Sequence, residues 1–169
     1  SHSFGFPDLY HYTVDYHTPV GAWDPMEDTS NPPQHHLGYM KFKYGHWLAS
    51  LPTITPTATA TQYTLDAVDS SPLACYKIAS SLPNEYYVIE YRRDTGTYES
   101  SIPASGLIVY RIISSYNGSE LDGNRNGPPD EVYVYRPGIN ANNPDGYIDA
   151  ANLSYNTSRA DMYQGTDPA

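Results

Sequence analysis

The chain has 169 residues, which suffices for one compact domain or for one and a half small ones. Its 9 Lys and Arg against 19 Asp and Glu give a net charge of −10, without the basic stripe that binds nucleic-acid phosphates. The single cysteine, Cys75, excludes an intrachain disulfide, and no apolar run approaches the roughly 18 residues that span a membrane. We therefore expect no nucleic-acid partner and no membrane insertion.

Residues 1–50 differ in character from the rest, since they contain all six His and both Trp. Residues 33–45 form the best helix candidate, because apolar and long side chains recur there at three- and four-residue spacing. The residues of that face are Leu37, Met40, Lys41 and Tyr44. The pair Pro32-Pro33, where this segment begins, suits a helix start, and Gly45 suits its end.

Residues 51–62 are rich in Thr, Ala and Pro and carry no charge, so they predict an extended connector or an edge strand. From residue 63 onward, short runs rich in Val, Ile and Tyr alternate with turn residues, which is typical of strands. The predicted strands are 63–68, 74–79, 85–93, 106–113 and 131–136. The runs 85–93 and 106–113 are the most apolar, and we expect them at the centre of a sheet.

The predicted fold class is α+β and mainly β. An irregular N-terminal part with one helix (1–50) leads through a connector (51–62) into an antiparallel β-sandwich-like domain (63–169). In the last third of that domain, from residue 137, Asn, Asp and Gly predominate and predict loops. Cys75 lies within a predicted strand, and we interpret it as a buried structural thiol.

The first candidate site is the spacing His2-x-x-Gly5-x-x-Asp8. In metzincin zinc peptidases the motif H-E-x-x-H-x-x-G-x-x-H begins on a helix, and its Gly lets the chain turn so that a third ligand reaches the metal. A carboxylate can replace the third His, because zinc accepts oxygen at about 2.0–2.2 Å. His2 and Asp8 are therefore candidate zinc ligands. The alternative is that His2 is an ordinary surface histidine.

The second candidate is Met26, which ends the segment 21–26 (GAWDPM). This segment follows the first motif at the distance where a metzincin has its Met-turn, a tight turn that places a Met side chain under the metal. The alternative is an ordinary core or loop Met. Both motifs in the right order are more specific than either one alone.

These motifs resemble immune inhibitor A-type metallopeptidases over residues 1 to about 137. The matching segments are 5–10 (GFPDLY), 20–26 (VGAWDPM), Lys41 with 45–47 (GHW), 85–92 (EYYVIEYR) and 102–110 (IPASGLIVY). The resemblance implies a secreted or cell-surface bacterial zinc endopeptidase that acts on polypeptides and is often stabilised by calcium. It also implies that His2 and Asp8 bind zinc, that Met26 is the Met-turn residue, and that residues 1–50 match the lower subdomain of a metzincin-like catalytic domain.

One part of the family pattern is absent, because no H-E-x-x precedes His2 in the sequence. A zinc site needs three or four well-placed ligands, and the missing Glu would activate the water. We therefore expect that this chain alone, without the missing N-terminal half of the catalytic domain, has no peptidase activity and binds zinc weakly or not at all. The third ligand is open: His11, Asp15 and His17 lie nearby, either as an unrelated metal site or as a solvated loop.

A candidate calcium loop begins at residue 122. Its oxygen-bearing side chains at positions one, three and five, with a Gly at six, match the opening of an EF-hand loop. The candidate ligands are Asp122, Asn124, Asn126, Asp130 and Glu131. The twelfth position is Tyr133 instead of Glu, so a plain Asn-Gly hairpin turn is the alternative.

A different class of function also fits the composition. Its 18 Tyr and Asp- and Asn-rich loops suit a non-enzymatic extracellular β module that binds glycan or protein through aromatic surfaces. Within the strand 85–93, Glu90 and Arg92 share a face, as a cross-strand ion pair or as groups that bind substrate.

Overall fold

The computed structural model describes residues 1–13, 15, 17–70 and 74–154. The predicted class, α+β and mainly β, is confirmed: the described residues form one main sheet of five strands, one two-stranded sheet and little helix. The strands are β1 (Thr53–Ile54), β2 (Cys75–Ala79), β3 (Glu85–Arg92), β4 (Gly106–Ile113), β5 (Ser115–Tyr116), β6 (Ser119–Glu120) and β7 (Val132–Val134). The helix α1 spans Gly38–Lys43, and 3₁₀ turns span His2–Phe4, Gly21–Trp23 and Ile148–Ala150.

The main sheet has the strand order β1-β2-β3-β4-β7. All pairings are antiparallel except that of β1, which runs parallel to β2. The two longest strands, β3 and β4, are central as predicted, and Val88 lies opposite Tyr110 in their register. The strands β5 and β6 form a separate hairpin, whose turn residues Asn117 and Gly118 have positive φ angles of 49° and 80°.

The predicted strands agree with β2, β3, β4 and β7, and the predicted connector contributes the edge strand β1. The strand predicted at 63–68 is wrong, since this segment makes only one isolated bridge, from Ala67 to Tyr91. The physical reason is that the edge of β3 beside this segment already pairs with β2 over most of its length. Because β2 begins opposite Glu90, only the last part of β3 is left for another segment to pair with.

The helix predicted over 33–45 is shorter in the structure, where α1 begins only at Gly38. The preceding backbone N–H groups bond to distant carboxylates instead of forming helical turns. His35 N donates to Glu99 at 2.9 Å and Leu37 N donates to Asp24 at 2.8 Å. These bonds hold the segment extended until the helix begins. No described helix is long and apolar enough to cross a bilayer.

One face of the sheet is covered by the N-terminal part, and both belong to one hydrophobic cluster. The sheet contributes Val88, Ile108, Tyr110, Ile112, Val132 and Val134, and the N-terminal part contributes Phe6, Leu9, Trp23, Met26, Leu37 and Met40. Their alternation along β3 and β4 places these side chains on the same face. The candidate metal residues are therefore carried by the layer that packs on the sheet. Cys75 is buried in this cluster, as predicted.

The loops after residue 137 return to the sheet. Leu153 pairs with Leu107 through two backbone hydrogen bonds of 2.7 and 2.9 Å, and Ile148 packs against the core. Arg136 is fully buried, and its guanidinium donates to the carbonyl oxygens of Thr18 and Pro19. These contacts anchor the segment that leads into the second candidate motif.

Candidate metal centre

The first motif forms a tight turn that brings His2 and Asp8 together. The 3₁₀ turn His2–Phe4 ends at Gly5, whose φ of 82° lies in the left-handed region that favours glycine. His2 Nε2 lies 3.1 Å from Asp8 Oδ1. The His2 side chain is 69% exposed and that of Asp8 only 10%, so the pair lies at the mouth of a depression. The spacing in the sequence thus becomes a convergence in space.

The separation of these two atoms fits an edge of a zinc coordination tetrahedron. With ligand bonds of about 2.0–2.2 Å, adjacent donor atoms of a tetrahedral zinc site lie roughly 3.3–3.5 Å apart. The observed 3.1 Å differs from this by only a few tenths of an ångström. An imidazole nitrogen and a carboxylate oxygen are also both ordinary zinc ligands. These two side chains therefore fit zinc as two of its ligands, and they do not complete a site.

Neighbouring groups orient the two side chains so that Nε2 and Oδ1 face each other, in a direct His–Asp contact. His2 Nδ1 lies 3.1 Å from the carbonyl oxygen of Phe6, which can only accept, so Nδ1 carries the proton. In the neutral ring this leaves the lone pair on Nε2. The hydroxyl of Tyr12 donates to Asp8 Oδ2 at 2.6 Å and so orients the carboxylate with Oδ1 towards His2. The same bond to Asp8 raises the pKa of Tyr12. Such partners orient ligands in known metal sites.

Met26 lies beside this pair. It is 4% exposed and lines, with His2 and Asp8, a pocket of about 390 Å³. A backbone hydrogen bond joins the first motif to the second, since Leu9 N donates to Met26 O at 3.1 Å. The three predicted site residues therefore meet at one pocket.

Two acidic residues that the sequence analysis did not identify shape the turn at Met26. Asp24 is fully buried, and its carboxylate accepts hydrogen bonds from Met26 N (2.8 Å), Leu37 N (2.8 Å) and the His36 ring (3.0 Å). Glu27 accepts from the N–H groups of the two residues at 20 and 21, at 2.6 and 2.8 Å. Burial raises the pKa of Glu27 to about 8, although these N–H groups oppose the shift. Asp24 precedes Pro25, and an Asp-Pro dipeptide favours the start of a turn, so the sequence carried a local signal for Asp24.

A third residue fastens this turn to the sheet. Arg92 of β3 is fully buried and donates from Nη1 to the carbonyl oxygen of Trp23 at 2.8 Å. It also forms a bidentate pair with the buried Glu99, with both distances 2.7 Å, and contacts Glu90 at 3.2 Å. Of the two interpretations of Glu90 and Arg92, the structure supports a structural ion pair, with Glu99 as the main partner. No local sequence signal pointed to Glu99, because it comes from a different segment.

His11 was a candidate for the third zinc ligand or for an unrelated metal site. In the structure it lies in a cluster of ion pairs. Its ring nitrogens contact Asp15 at 2.5 Å and Asp130 at 2.6 Å, and its side chain is only 2% exposed. The bond to Asp130 is the largest cause that raises the pKa of His11 to about 9. Because both nitrogens have carboxylate partners, His11 is not free to bind zinc. The ring of His17 lies 3.8 Å from Asp145.

The five candidate calcium ligands fall into two groups in the structure. Asn124 is buried, and its amide bonds to backbone atoms of Leu9 and Val132. Asp130 pairs with His11, as described above. Glu131 is fully buried and accepts hydrogen bonds from Tyr39, Lys43, Tyr44 and the backbone N–H of Gly123. These three candidates therefore have protein partners.

The other two calcium candidates remain near solvent. Asp122 and Asn126 line a separate pocket of about 290 Å³, and Asp122 pairs loosely with Arg125 at 3.5 Å. Within the described residues, no group of three or more His, Cys, Asp or Glu side chains is arranged to hold a metal ion.

Comparison with known proteins leaves the family resemblance untested. No protein-family model, no curated protein and no solved structure matches this chain.

Proposed function

We propose that this chain is part of a secreted zinc endopeptidase of the immune inhibitor A type and contributes His2 and Asp8 as zinc ligands, with Met26 beside them. One observation carries the proposal: His2 Nε2 and Asp8 Oδ1 lie 3.1 Å apart in a pocket that Met26 also lines. These three residues are the ones that the sequence motifs single out. The order of the two motifs adds support, since each alone is weak.

Zinc in such a site would polarise the scissile carbonyl and lower the pKa of a bound water. The residues of this chain prepare the site for it. The Phe6 carbonyl fixes the His2 tautomer, and the Tyr12 hydroxyl holds the Asp8 carboxylate. Asp24 keeps the turn at Met26 in place. The chain therefore offers two candidate ligands and the groups that orient them.

The 169 residues supply neither a third ligand in the motif nor the general-base Glu, since the sequence contains no H-E-x-x-H. A tetrahedral catalytic site has three protein ligands and a water. We therefore expect the isolated chain to be inactive as a peptidase and to bind zinc weakly. A proteolytic turnover by the purified chain that a chelator abolishes would contradict this expectation.

Weak metal binding calls for a probe that reports position as well as affinity. Co²⁺ takes the place of Zn²⁺, and its paramagnetism shifts NMR signals of nearby groups. We expect the largest shifts at the His2 ring and the Met26 methyl group. Asp8→Asn and His2→Gln should each weaken Co²⁺ binding by about tenfold or more, because each removes a ligand.

The matched control is His46→Gln, which removes an exposed imidazole outside the pocket. It should leave the shifts at His2 unchanged. Paramagnetic shifts centred on another histidine, or shifts that survive Asp8→Asn, would refute the zinc assignment.

Calcium stays a separate prediction at the loop of Asp122 and Asn126. Added Ca²⁺ should raise the melting temperature of the wild type and have less effect on Asp122→Ala. Equal shifts in both proteins would count against the site.

The alternative function, a glycan- or protein-binding β module, has an observation of its own. Several large aromatic side chains are exposed, among them Tyr12 (58%), Trp47 (54%) and Tyr147 (61%). This alternative predicts no Co²⁺ effect at His2, so a Co²⁺ effect there would count against it.

A further inference from the structure

A second pocket adjoins the one that holds His2 and Asp8. It has a volume of about 280 Å³, and Ser1, Pro25 and Pro33 line both pockets. The two therefore meet along a common edge and form one continuous depression. A chain that runs past the first pocket can place a neighbouring group in the second.

Aromatic rings form much of the wall of the second pocket. Trp47 and Tyr98 both line it, and each is 54% exposed. Trp47 is held by rings beneath it, with centroid distances of 5.3 Å to Phe6 and 6.0 Å to His36. Tyr98 stands edge-on to His35 at 6.0 Å. Such half-exposed rings offer apolar contact area to a bound side chain.

One charged side chain in this wall, Lys41, lacks a partner among the described residues. Lys41 of α1 lines the pocket and is only 9% exposed. Within the part of the chain that the structure describes, its ammonium group makes neither a hydrogen bond nor an ion pair within 4 Å. Burial lowers the pKa of Lys41. The ammonium is not one of the fully buried polar atoms, so it reaches the solvent of the pocket, where an anion can pair with it in a charge-assisted hydrogen bond.

Nearby carboxylates are engaged elsewhere. Glu90 and Glu99 act on Lys41 only at a distance, and the bidentate pair of Glu99 is with Arg92. Among the residues that the structure describes, no Asp or Glu lines the second pocket, whereas Asp8 and Glu27 line the first. The depression is therefore acidic at the candidate metal residues and basic beside Trp47.

We propose that the second pocket is a substrate subsite that takes a carboxylate of a peptide and pairs it with Lys41. The identification of the occupant as a peptide rests on the proposed function. The carboxylate is either that of an Asp or Glu side chain or the C-terminal α-carboxylate. Trp47 and Tyr98 contact the apolar part that carries this group.

The test uses the 169-residue chain without metal and four short peptides. Acetyl-Ala-Glu-Ala-amide is compared with acetyl-Ala-Gln-Ala-amide, and acetyl-Ala-Ala-Ala with a free carboxylate is compared with its amide. Binding is followed by fluorescence and by the indole N–H signal of Trp47, since the other tryptophan, Trp23, is fully buried. At least one acidic peptide should bind about tenfold more tightly than its neutral partner, as one charge-assisted hydrogen bond would give. Which pair shows the preference identifies the source of the carboxylate.

The variant Lys41→Met should abolish this preference, and Lys77→Met should retain it. Lys77 is a half-buried lysine on β2 whose ammonium lies 3.9 Å from the Tyr86 ring and outside the pocket. The proposal is overturned if acidic and neutral peptides bind alike, or if the preference survives Lys41→Met. Should Lys41→Met not fold, the wild-type signals decide: acidic peptides must shift the Trp47 indole, and shifts elsewhere alone overturn the proposal. A carboxylate preference without any Co²⁺ effect at His2 would retain the subsite and leave zinc binding at His2 without support.

Discussion

His11 provides a pH-dependent link between two distant parts of the chain. Its imidazole joins Asp15, near the first motif, to Asp130, which lies 119 residues further along the sequence from His11. The side chains of His11 and Asp130 are 2% and 3% exposed. We predict that His11→Asn destabilises the protein at neutral and mildly acidic pH, and that the loss shrinks at alkaline pH.

The sign follows from the direction of the pKa shift. The folded protein raises the pKa of His11 from 6.5 to about 9, so it binds the proton more tightly than the unfolded chain does. The stabilisation is fully present below pH 6.5 and is lost as the pH rises through about 9. At ~1.4 kcal/mol per pKa unit the upper bound is ~3 kcal/mol. Because Asp15 is 26% exposed, solvent screens its share, and we expect about 2 kcal/mol.

Urea unfolding of the wild type and of His11→Asn at roughly pH 6 and pH 10 measures this effect. The difference between the two proteins should fall from about 2 kcal/mol to below about 1 kcal/mol. Using the difference cancels the titration of groups that both proteins share. His46→Asn removes an exposed histidine and should show a small difference at both pH values. A difference for His11→Asn that stays constant between the two pH values would refute the reasoning.

Three further predictions concern buried groups. Arg92→Met leaves the buried carboxylate of Glu99 without its partner and should lower the unfolding free energy by about 3–5 kcal/mol. The double variant with Glu99→Gln should recover part of this loss. A loss below about 1 kcal/mol, measured by guanidinium unfolding, would contradict the prediction. Asn124→Ala removes three hydrogen bonds to Leu9 and Val132 and should cost about 2–4 kcal/mol, whereas an unchanged melting temperature would show that the amide is dispensable. Burial raises the pKa of the Cys75 thiol to about 12, so iodoacetamide should label it slowly until denaturant is added, and fast native labelling would argue against the packing described.

The strands were predictable because their signals are local. Runs of Val, Ile and Tyr between turn residues located β2, β3 and β4 to within one residue at each end. The segment 63–68 was predicted as a strand in the same way, yet among the described residues it makes only one isolated bridge, because the neighbouring edge is occupied. Availability of a pairing edge is a property of the whole sheet, which composition does not encode.

The same distinction holds at the candidate site. The approach of His2 to Asp8 follows from a seven-residue spacing around Gly5, so the sequence could indicate it. The side chains that hold the second motif in place could be predicted only in part. Asp24 has a local signal, whereas Arg92 reaches Trp23 across 69 residues. Arg92 in a predicted central strand indicated a buried charge that needs a partner, but the sequence did not indicate which residue that partner is.

The position of Arg92 bears on how the chain is divided. The predicted connector at 51–62 separates the two motifs from the sheet in sequence, and it remains a prediction as a domain boundary. Hydrogen bonds nevertheless cross it at the turn itself: Arg92 holds the carbonyl of Trp23, and Glu99 holds the N–H of His35. The backbone that presents Met26 is thus fixed by β3 and by the segment that follows it. Residues 1–50 on their own would lack these donors and acceptors, so the geometry of the candidate metal centre depends on the β-sheet that it packs against.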